Sequence, residues 1–265
     1  MKNFRERFEI KPDRWVYVPT PACSEVGERV KALIDAKWVA PHYFFHIVGG
    51  GGHVKALSVH RDSRYFAKLD LSNFFGSIGL ARVTRILKKF ASYEQAREWA
   101  KWSVVKPINQ EMRHLPFGFV QSSILASVVL DSSVLGCRLS ELAPGKSRRH
   151  RSLVSVYVDD IIISSNRAAE LRNDLEGLVE AAEKSLFEVN LAKTVFPSET
   201  IQAFNLDIVH GELRVGSEKF AEFEAALQSK PAPAVVSGIL SYVGSVNPAQ
   251  AADLRDQVGP ASCKL

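Results

Sequence analysis

The chain has 265 residues, enough for one large domain or for lobes around a sizeable core. Apolar residues make up 46% and charged residues 24%, which excludes a disordered or fibrous chain. Thirty-four Lys and Arg against 29 Asp and Glu leave a net charge of +5, a modest excess that permits a polyanionic partner without requiring one. Cys23, Cys137 and Cys263 are far apart and odd in number, so neither a disulfide framework nor a zinc spacing can be built, and a reducing cytoplasm is expected. The charged start Met1-Lys2-Asn3-Phe4-Arg5-Glu6-Arg7 does not read as a signal peptide. The apolar stretch Ile124 to Leu135 is interrupted by Ser127, Asp131, Ser132 and Ser133, so no membrane span is expected.

In chain order, Arg29 to Trp38 reads as a short helix with Val30, Leu33, Ile34 and Trp38 on one face, ended by Pro41. Phe44 to Val48 and Val54 to Val59 read as two strands joined by Gly49 to Gly52. That glycine turn is either a phosphate cradle or a mobile hairpin tip, and it lacks the Gly-Lys-Ser/Thr of a nucleotide loop. Tyr65 to Leu71 reads as a strand, Leu80 to Phe90 and Glu94 to Val104 as helices, and Gln121 to Leu139 as one long helix. Leu153 to Ser164 holds two β-rich runs separated by Asp159 and Asp160, a hairpin signal. Glu170 to Phe187 is a strongly amphipathic helix. A short strand near Thr194 to Phe196 follows, then a hairpin of Ala203 to Val209 and Glu212 to Val215, and an apolar stretch from Val235 to Val246.

Two carboxylate features carry chemistry. Asp159 and Asp160 are adjacent at the hairpin apex between strongly apolar runs, with no Gly after them to make an ordinary turn. Two unit charges about 4 Å apart repel by roughly 4 kcal/mol at an effective dielectric near 20, a cost that divalent cations would relieve. Asp70 ends the Tyr65 to Leu71 strand; by itself it reads as a helix N-cap, but beside the aspartate hairpin it completes a hard-oxygen set suited to Mg²⁺. Two metals at such a site would clamp both oxygens of a phosphoryl transfer.

With these residues in view, the chain resembles reverse transcriptases, specifically the compact bacterial enzymes grouped with retron, abortive-infection and defence-associated reverse transcriptases. Phe66-Ala-Lys-Leu-Asp70-Leu-Ser-Asn-Phe74-Phe75-Gly-Ser-Ile looks like the first palm motif, and Tyr157-Val-Asp159-Asp160 like the Tyr-x-Asp-Asp motif. Leu115-Pro-Phe-Gly-Phe-Val-Gln-Ser-Ser123 looks like the motif between them, and Leu191-Ala-Lys193-Thr like a later one. The resemblance implies an α+β fold: a polymerase palm built on a ferredoxin-like antiparallel sheet with packed helices. It also implies a reduced fingers lobe and a short C-terminal helical thumb-like segment, divided as residues 1–64, 65–215 and 216–265.

The resemblance also assigns roles. Asp70, Asp159 and Asp160 would be catalytic and would hold two Mg²⁺ ions, or Mn²⁺ in their place, together with the Leu71 carbonyl. Phe75 would be the steric gate against a ribose 2′-hydroxyl, with Ser72 and Asn73 in the nucleotide site, while Phe74 would be a core residue. Lys193 would lie near the triphosphate and protonate the departing pyrophosphate. Phe117 stands where relatives carry Gln, and Gln121 is the candidate to supply the missing amide. Lys55 and Arg61 are the candidate fingers cations, although the segment before Asp70 is short. Signatures specific to retron enzymes are not evident beyond the palm.

Lys146, Arg148, Arg149, His150 and Arg151 form a basic loop before the aspartate hairpin, either a solvated surface or a contact to nucleic-acid phosphates. Arg82, Arg85, Lys88 and Lys89 are a second candidate stripe. The expected activity is RNA-directed DNA polymerisation from dNTPs in bacterial antiviral defence, with an RNA template or noncoding RNA and a DNA product. A homo-oligomer, or an effector or thumb-supplying protein, would complete the small fingers and thumb, and no membrane is involved. The alternatives are a template-independent or protein-primed transferase, and a noncatalytic nucleic-acid-binding palm. A cyclic-dinucleotide synthase is excluded, because its Gly-Gly-Asp/Glu-Glu-Phe hairpin is absent.

Overall fold

The computed structural model describes residues 3–12, 14–48, 52–107, 111–143, 152–229 and 231–258. Strands β1 (Phe4–Lys11) and β2 (Arg14–Pro19) form an antiparallel ribbon that the sequence analysis did not anticipate. Thr20 then caps helix α1 (Pro21–Lys37): its hydroxyl accepts the Cys23 N–H at 3.3 Å, and Pro21 occupies the first turn, where a missing N–H costs nothing. The expected helix at Arg29 to Trp38 is therefore the second half of a longer one. Its Val30 and Ile34 are buried.

The expected hairpin after α1 does not form. Phe44 makes only a single parallel bridge to Val156, and Gly52–Ser58 is a short helix, α2, burying Ala56 and Leu57. Short apolar runs do not distinguish strand from helix by periodicity. Here Tyr43 to Phe45 pairs with a strand over a hundred residues away instead of with its own neighbour: Val156 N–H donates to the Tyr43 carbonyl at 2.8 Å and Phe45 N–H to the Val156 carbonyl at 3.0 Å.

Strand β3 (Tyr65–Ser72) and helices α3 (Leu80–Leu87) and α4 (Tyr93–Ser103) fall where the sequence places them. The long helix expected over Gln121 to Leu139 is broken into α5 (Ser122–Asp131) and α6 (Val134–Leu142), bent by 75°. Ser133 caps the new helix by accepting the Gly136 N–H at 3.1 Å, which turns the chain despite its continuous apolar pattern. A Cβ on Gly136 would collide with the Leu130 and Asp131 carbonyl oxygens, so the corner requires glycine.

Strands β4 (Leu153–Tyr157) and β5 (Asp160–Ser165) form the expected hairpin, followed by helix α7 (Ala168–Lys184). Strands β6 (Glu188–Val189), β7 (Val195–Ser198), β8 (Thr200–Ala203), β9 (Leu206–Val209) and β10 (Glu212–Val215) precede helices α8 (Ser217–Gln228), α9 (Pro233–Val246) and α10 (Pro248–Val258). The single strand expected from Ala203 is split: Ala203 ends β8, and the chain reverses at Phe204 and Asn205.

The central antiparallel sheet runs β4-β5-β3-β6, with β7 also paired to β3; β8, β9 and β10 form a second, three-stranded sheet. The fold is α+β, as expected. Side chains alternate across a strand, so Ala67, Leu69, Leu71, Ile161 and Ile163 enter the larger core beneath the helices. Phe66 and Ile162 enter a second core shared with β8–β10 and the C-terminal helices. Lys68, Asp70 and Asp160 share the face of Phe66 and Ile162. Among the described residues no single helix is long and apolar enough to cross a membrane, and most apolar residues of the bent α5–α6 pair lie in the core, Val134 being exposed.

Candidate active site

Register brings the carboxylates together. Asp70 in β3 lies directly opposite Asp160 in β5, and Tyr157 opposite Asp160 closes the hairpin around a two-residue turn. Directly opposed residues in an antiparallel pair have Cα atoms about 4.5–5.5 Å apart. The apex is thus Val158 and Asp159, not Asp159 and Asp160, and this corrects the expected turn. Val158 sits at φ 62°, a left-handed conformation that costs a β-branched residue on the order of 1–3 kcal/mol.

This one-residue difference separates two carboxylates adjacent in sequence. Asp159 faces an open cleft together with Asp70. Asp160 instead forms an ion pair with Lys68 at 2.6 Å, both side chains mostly buried. Lys68 lies two residues before Asp70 on the same face, diagonal to Asp160 across the ladder. The repulsion expected between the two aspartates is therefore partly met by a lysine and does not by itself require a metal. At Asp159, burial, then the charge of Asp160 and less that of Asp70, push the carboxyl above the ordinary range, while a hydrogen bond from its own backbone and more weakly the charge of Arg14 pull the other way.

The cleft has a volume of about 620 Å³. The turn after β3 supplies Ser72, Asn73 and Phe75, with Asn73 at φ 43°. Phe74 packs into the core against Phe187 at 5.5 Å, as expected. The Phe75 ring packs tilted against Phe117, with centres 4.8 Å apart, and the Arg14 guanidinium lies 4.5 Å from the centre of the Phe117 ring. The β1–β2 ribbon is docked there: Tyr17 N–H donates to the Phe117 carbonyl at 2.9 Å, and a Cβ on Gly118 (φ 99°) would strike the Tyr17 carbonyl. Arg7 and Lys193 also line the cleft, as does Asn190, whose N–H donates to the Asp70 carbonyl at 2.9 Å.

Three of the expected nucleotide contacts do not line this cleft. Gln121 is buried, donates to the Ser103 hydroxyl at 3.3 Å and does not face the cleft. Lys55 and Arg61 are not cleft residues either: Lys55 is exposed on α2, and Arg61 donates from Nε to the Gly211 carbonyl at 2.7 Å. The cations that do reach the cleft from the N-terminal segment are Arg7 and Arg14, and alternation of Phe4, Phe8 and Ile10 with charged residues around Pro12 was the missed hairpin signal. Arg82 is structural: it stacks 4.3 Å over Phe187 and donates to the Ser185 carbonyl at 3.1 Å at the end of α7. Lys146, Arg148, Arg149 and Arg151, with most of the glycine turn at Gly49 to Gly52, lie outside the described residues.

The cleft offers a hard-oxygen donor set to a cation. Asp70 and Asp159 face it, and Leu71, whose side chain is in the core, borders it with its backbone. Among the described residues no three acidic, His or Cys side chains converge to hold an ion. Two carboxylates and a carbonyl nonetheless fit Mg²⁺, which keeps waters and takes substrate phosphates as its remaining ligands. Burial and then the neighbouring charges of Asp160 and Asp70 disfavour the ionised Asp159 carboxyl, a cost that a bound dication would offset.

The reverse transcriptase (RNA-dependent DNA polymerase) family matches residues 24–216, which span both aspartate strands and the cleft apart from its β1–β2 wall. The chain belongs to this family. Among curated reverse transcriptases, that of retron Mx65 from Myxococcus xanthus is 26% identical over 255 residues, covering 90% of this chain and 59% of the relative. That of retron Se72 from Salmonella heidelberg is 25% identical over 169 residues, covering 63% of this chain and 41% of the relative. The chain thus spans about three fifths or less of these reverse transcriptases. Telomerase from Candida albicans, solved with a fragment of telomeric RNA, shares the fold with a TM-score of 0.54 at 12% identity, covering 89% of this chain and 46% of that one. Reverse transcriptases generally use divalent metals, in keeping with the oxygen donors of this cleft.

Proposed function

We propose that this chain is an RNA-directed DNA polymerase that adds deoxynucleotides to a primer by two-metal nucleotidyl transfer. The observation that carries this reading is the convergence of Asp70 and Asp159 on a cleft walled by Phe75 and reached by Arg7, Arg14 and Lys193. The primer 3′-hydroxyl gives up its proton to solvent water, its oxygen bonds to the α-phosphorus as the bond from that phosphorus to the bridging β-phosphate oxygen breaks, and pyrophosphate leaves with that electron pair. Asp70, Asp159 and the Leu71 carbonyl would hold Mg²⁺, which when bound activates the hydroxyl and neutralises charge on the leaving oxygen. Arg7 and Arg14 bind the triphosphate by charge-assisted contacts, replacing Lys55 and Arg61 in that role. Lys193 delivers a proton to the departing pyrophosphate. Phe75 excludes the 2′-hydroxyl by bulk, and Asp160 serves the site from its pairing with Lys68.

We assign the fingers role to the N-terminal ribbon within residues 1–64, the palm to 65–215 and the thumb role to the helices after 216. Similarity to retron reverse transcriptases supports a bound RNA, an RNA template and a part in bacterial antiviral defence, and we assign that work to the cytoplasm. The Lys146 to Arg151 segment is proposed to hold that RNA, alone or with a second copy or partner protein. Neutralising Arg148, Arg149 and Arg151 together is expected to reduce RNA retention in a pull-down of the intact chain. The deciding experiment sequences the nucleic acid that copurifies and the DNA made from all four dNTPs with Mg²⁺ or Mn²⁺. Product complementary to a bound RNA, lost in Asp70→Ala and Asp159→Ala, supports the reading. Untemplated product points to a terminal or protein-primed transferase, and no product in any condition points to a noncatalytic palm.

A further inference from the structure

The turn that presents Asp159 is held from behind by a histidine no palm motif contains. His46 lies in the segment that pairs with Val156, its ring 5.9 Å from that of Tyr157. Val158 N–H points at His46 Nδ1 at 3.1 Å, and His46 Nε2 lies 2.7 Å from the Ser127 hydroxyl on α5. The Ser127 hydroxyl in turn reaches the Ser123 carbonyl at 2.8 Å.

Donor directions in this chain are set by its two ends. A backbone N–H can only donate, so Nδ1 must be bare to receive Val158. A backbone carbonyl can only accept, so the Ser127 proton goes to Ser123 and its oxygen lone pair receives Nε2–H. This tautomer satisfies all three bonds. The opposite one would set Nδ1–H against Val158 N–H in exchange for a long 3.4 Å contact to the Val156 carbonyl. Burial holds the ring neutral, with its pKa pushed down to about 4.

We propose that His46 is a positioning residue for the polymerase reaction: as the neutral Nε2–H tautomer it braces the left-handed Val158 against α5 and so fixes Asp159 in the cleft. This rests on the polymerase reading for its consequence but not for its geometry. Strand pairing ends at Tyr157 and Asp160, so the ladder offers no acceptor to the Val158 N–H, and His46 supplies one from outside the sheet. Ser127 belongs to the helix that follows the Leu115 to Ser123 motif, so the bond chain ties that motif to the aspartate turn. An Asn at 46 would keep an oxygen near the Nδ1 position, whereas a Phe would keep the ring volume without an acceptor.

The test uses the intact chain. The ¹⁵N spectrum of histidine-labelled protein, with His46 assigned by its loss in His46→Asn, is expected to show Nδ1 bare and Nε2 protonated. Steady-state kinetics are expected to show His46→Phe losing about 10- to 100-fold in kcat with KM for dNTP nearly unchanged, because misplacing a catalytic group slows chemistry while the triphosphate contacts remain. His46→Asn is expected to recover most of that loss. A protonated Nδ1, a His46→Phe enzyme with wild-type kcat, or a His46→Asn enzyme no better than His46→Phe would overturn the proposal. If the wild-type chain makes no DNA, the polymerase reading fails, the catalytic role of His46 falls with it, and the ¹⁵N spectrum separately decides the brace.

Discussion

Lys68 and Asp160 are joined by an ion pair 2.6 Å long, on the face of β3 and β5 that carries Asp70. The two aspartates of the hairpin therefore differ: Asp160 has a lysine, and Asp159 has the open cleft. Of the three neighbouring carboxylates one keeps an internal cation, and the charge left for an external one sits on Asp70 and Asp159.

Removing that cation has a definite cost. Lys68→Met leaves the Asp160 carboxylate mostly buried and unpaired, and is expected to destabilise the fold by about 2 kcal/mol in urea titrations. MgCl₂ is expected to restore more stability to Lys68→Met than it adds to wild type, because a dication would relieve the same negative charge. Equal urea midpoints for variant and wild type would show that the pair contributes nothing.

Asp159 is expected to trade stability for activity. Its carboxyl is raised above its unfolded-state value, so the folded state binds this proton more readily than the unfolded one. The ionised group therefore opposes folding at neutral pH, and this penalty fades as pH falls through the raised folded pKa. Asp159→Asn should raise the thermal midpoint at pH 7 in the absence of divalent metal while lowering nucleotide incorporation by on the order of 10³-fold. A lower midpoint would contradict the assigned electrostatics.

Sugar selection should follow the Phe75–Phe117 contact. Phe75→Val opens space beside the cleft, and the ribonucleotide-to-deoxynucleotide ratio of kcat/KM is expected to rise about 10- to 100-fold. Phe117→Ala, which removes the ring bracing Phe75 and seating Arg14, is expected to raise both that ratio and KM for dNTP. An unchanged ratio in Phe75→Val would leave that residue as core filling only.

Acid stability should report His60. Its ring is fully buried between the Ser164 hydroxyl at 2.7 Å and the Ser155 hydroxyl at 2.8 Å, and burial pushes its pKa from 6.5 down to about 3. Between these values the unfolded chain binds the proton and the folded chain does not, so stability falls as pH drops through that window. At pH 5 this one group costs about 2 kcal/mol relative to pH 8, with His46 adding in the same direction. Urea midpoints from pH 8 to 5 should fall less steeply in His60→Gln; an identical slope would remove His60 as the cause.

Legible along the chain were the strand that carries Asp70, the aspartate hairpin, the amphipathic helix that forms α7 and the order of the palm motifs. These are local properties, carried by periods of two and 3.6 residues and by short runs of particular types. Only the tertiary structure decided which cation meets which carboxylate. Lys68 takes Asp160 because the register of β3 on β5 sets them diagonal, and a one-residue difference in the turn sends Asp159 the other way. Arg14 reaches the cleft and Arg61 does not because a ribbon with no motif of its own docks on Phe117, 103 residues beyond Arg14. Gln121 left the site for the same kind of reason: packing against Ser103 buried it. His46 faces Val158 across a separation of 112 residues. Contacts at that range depend on how whole elements pack, and no local pattern of residues encodes them.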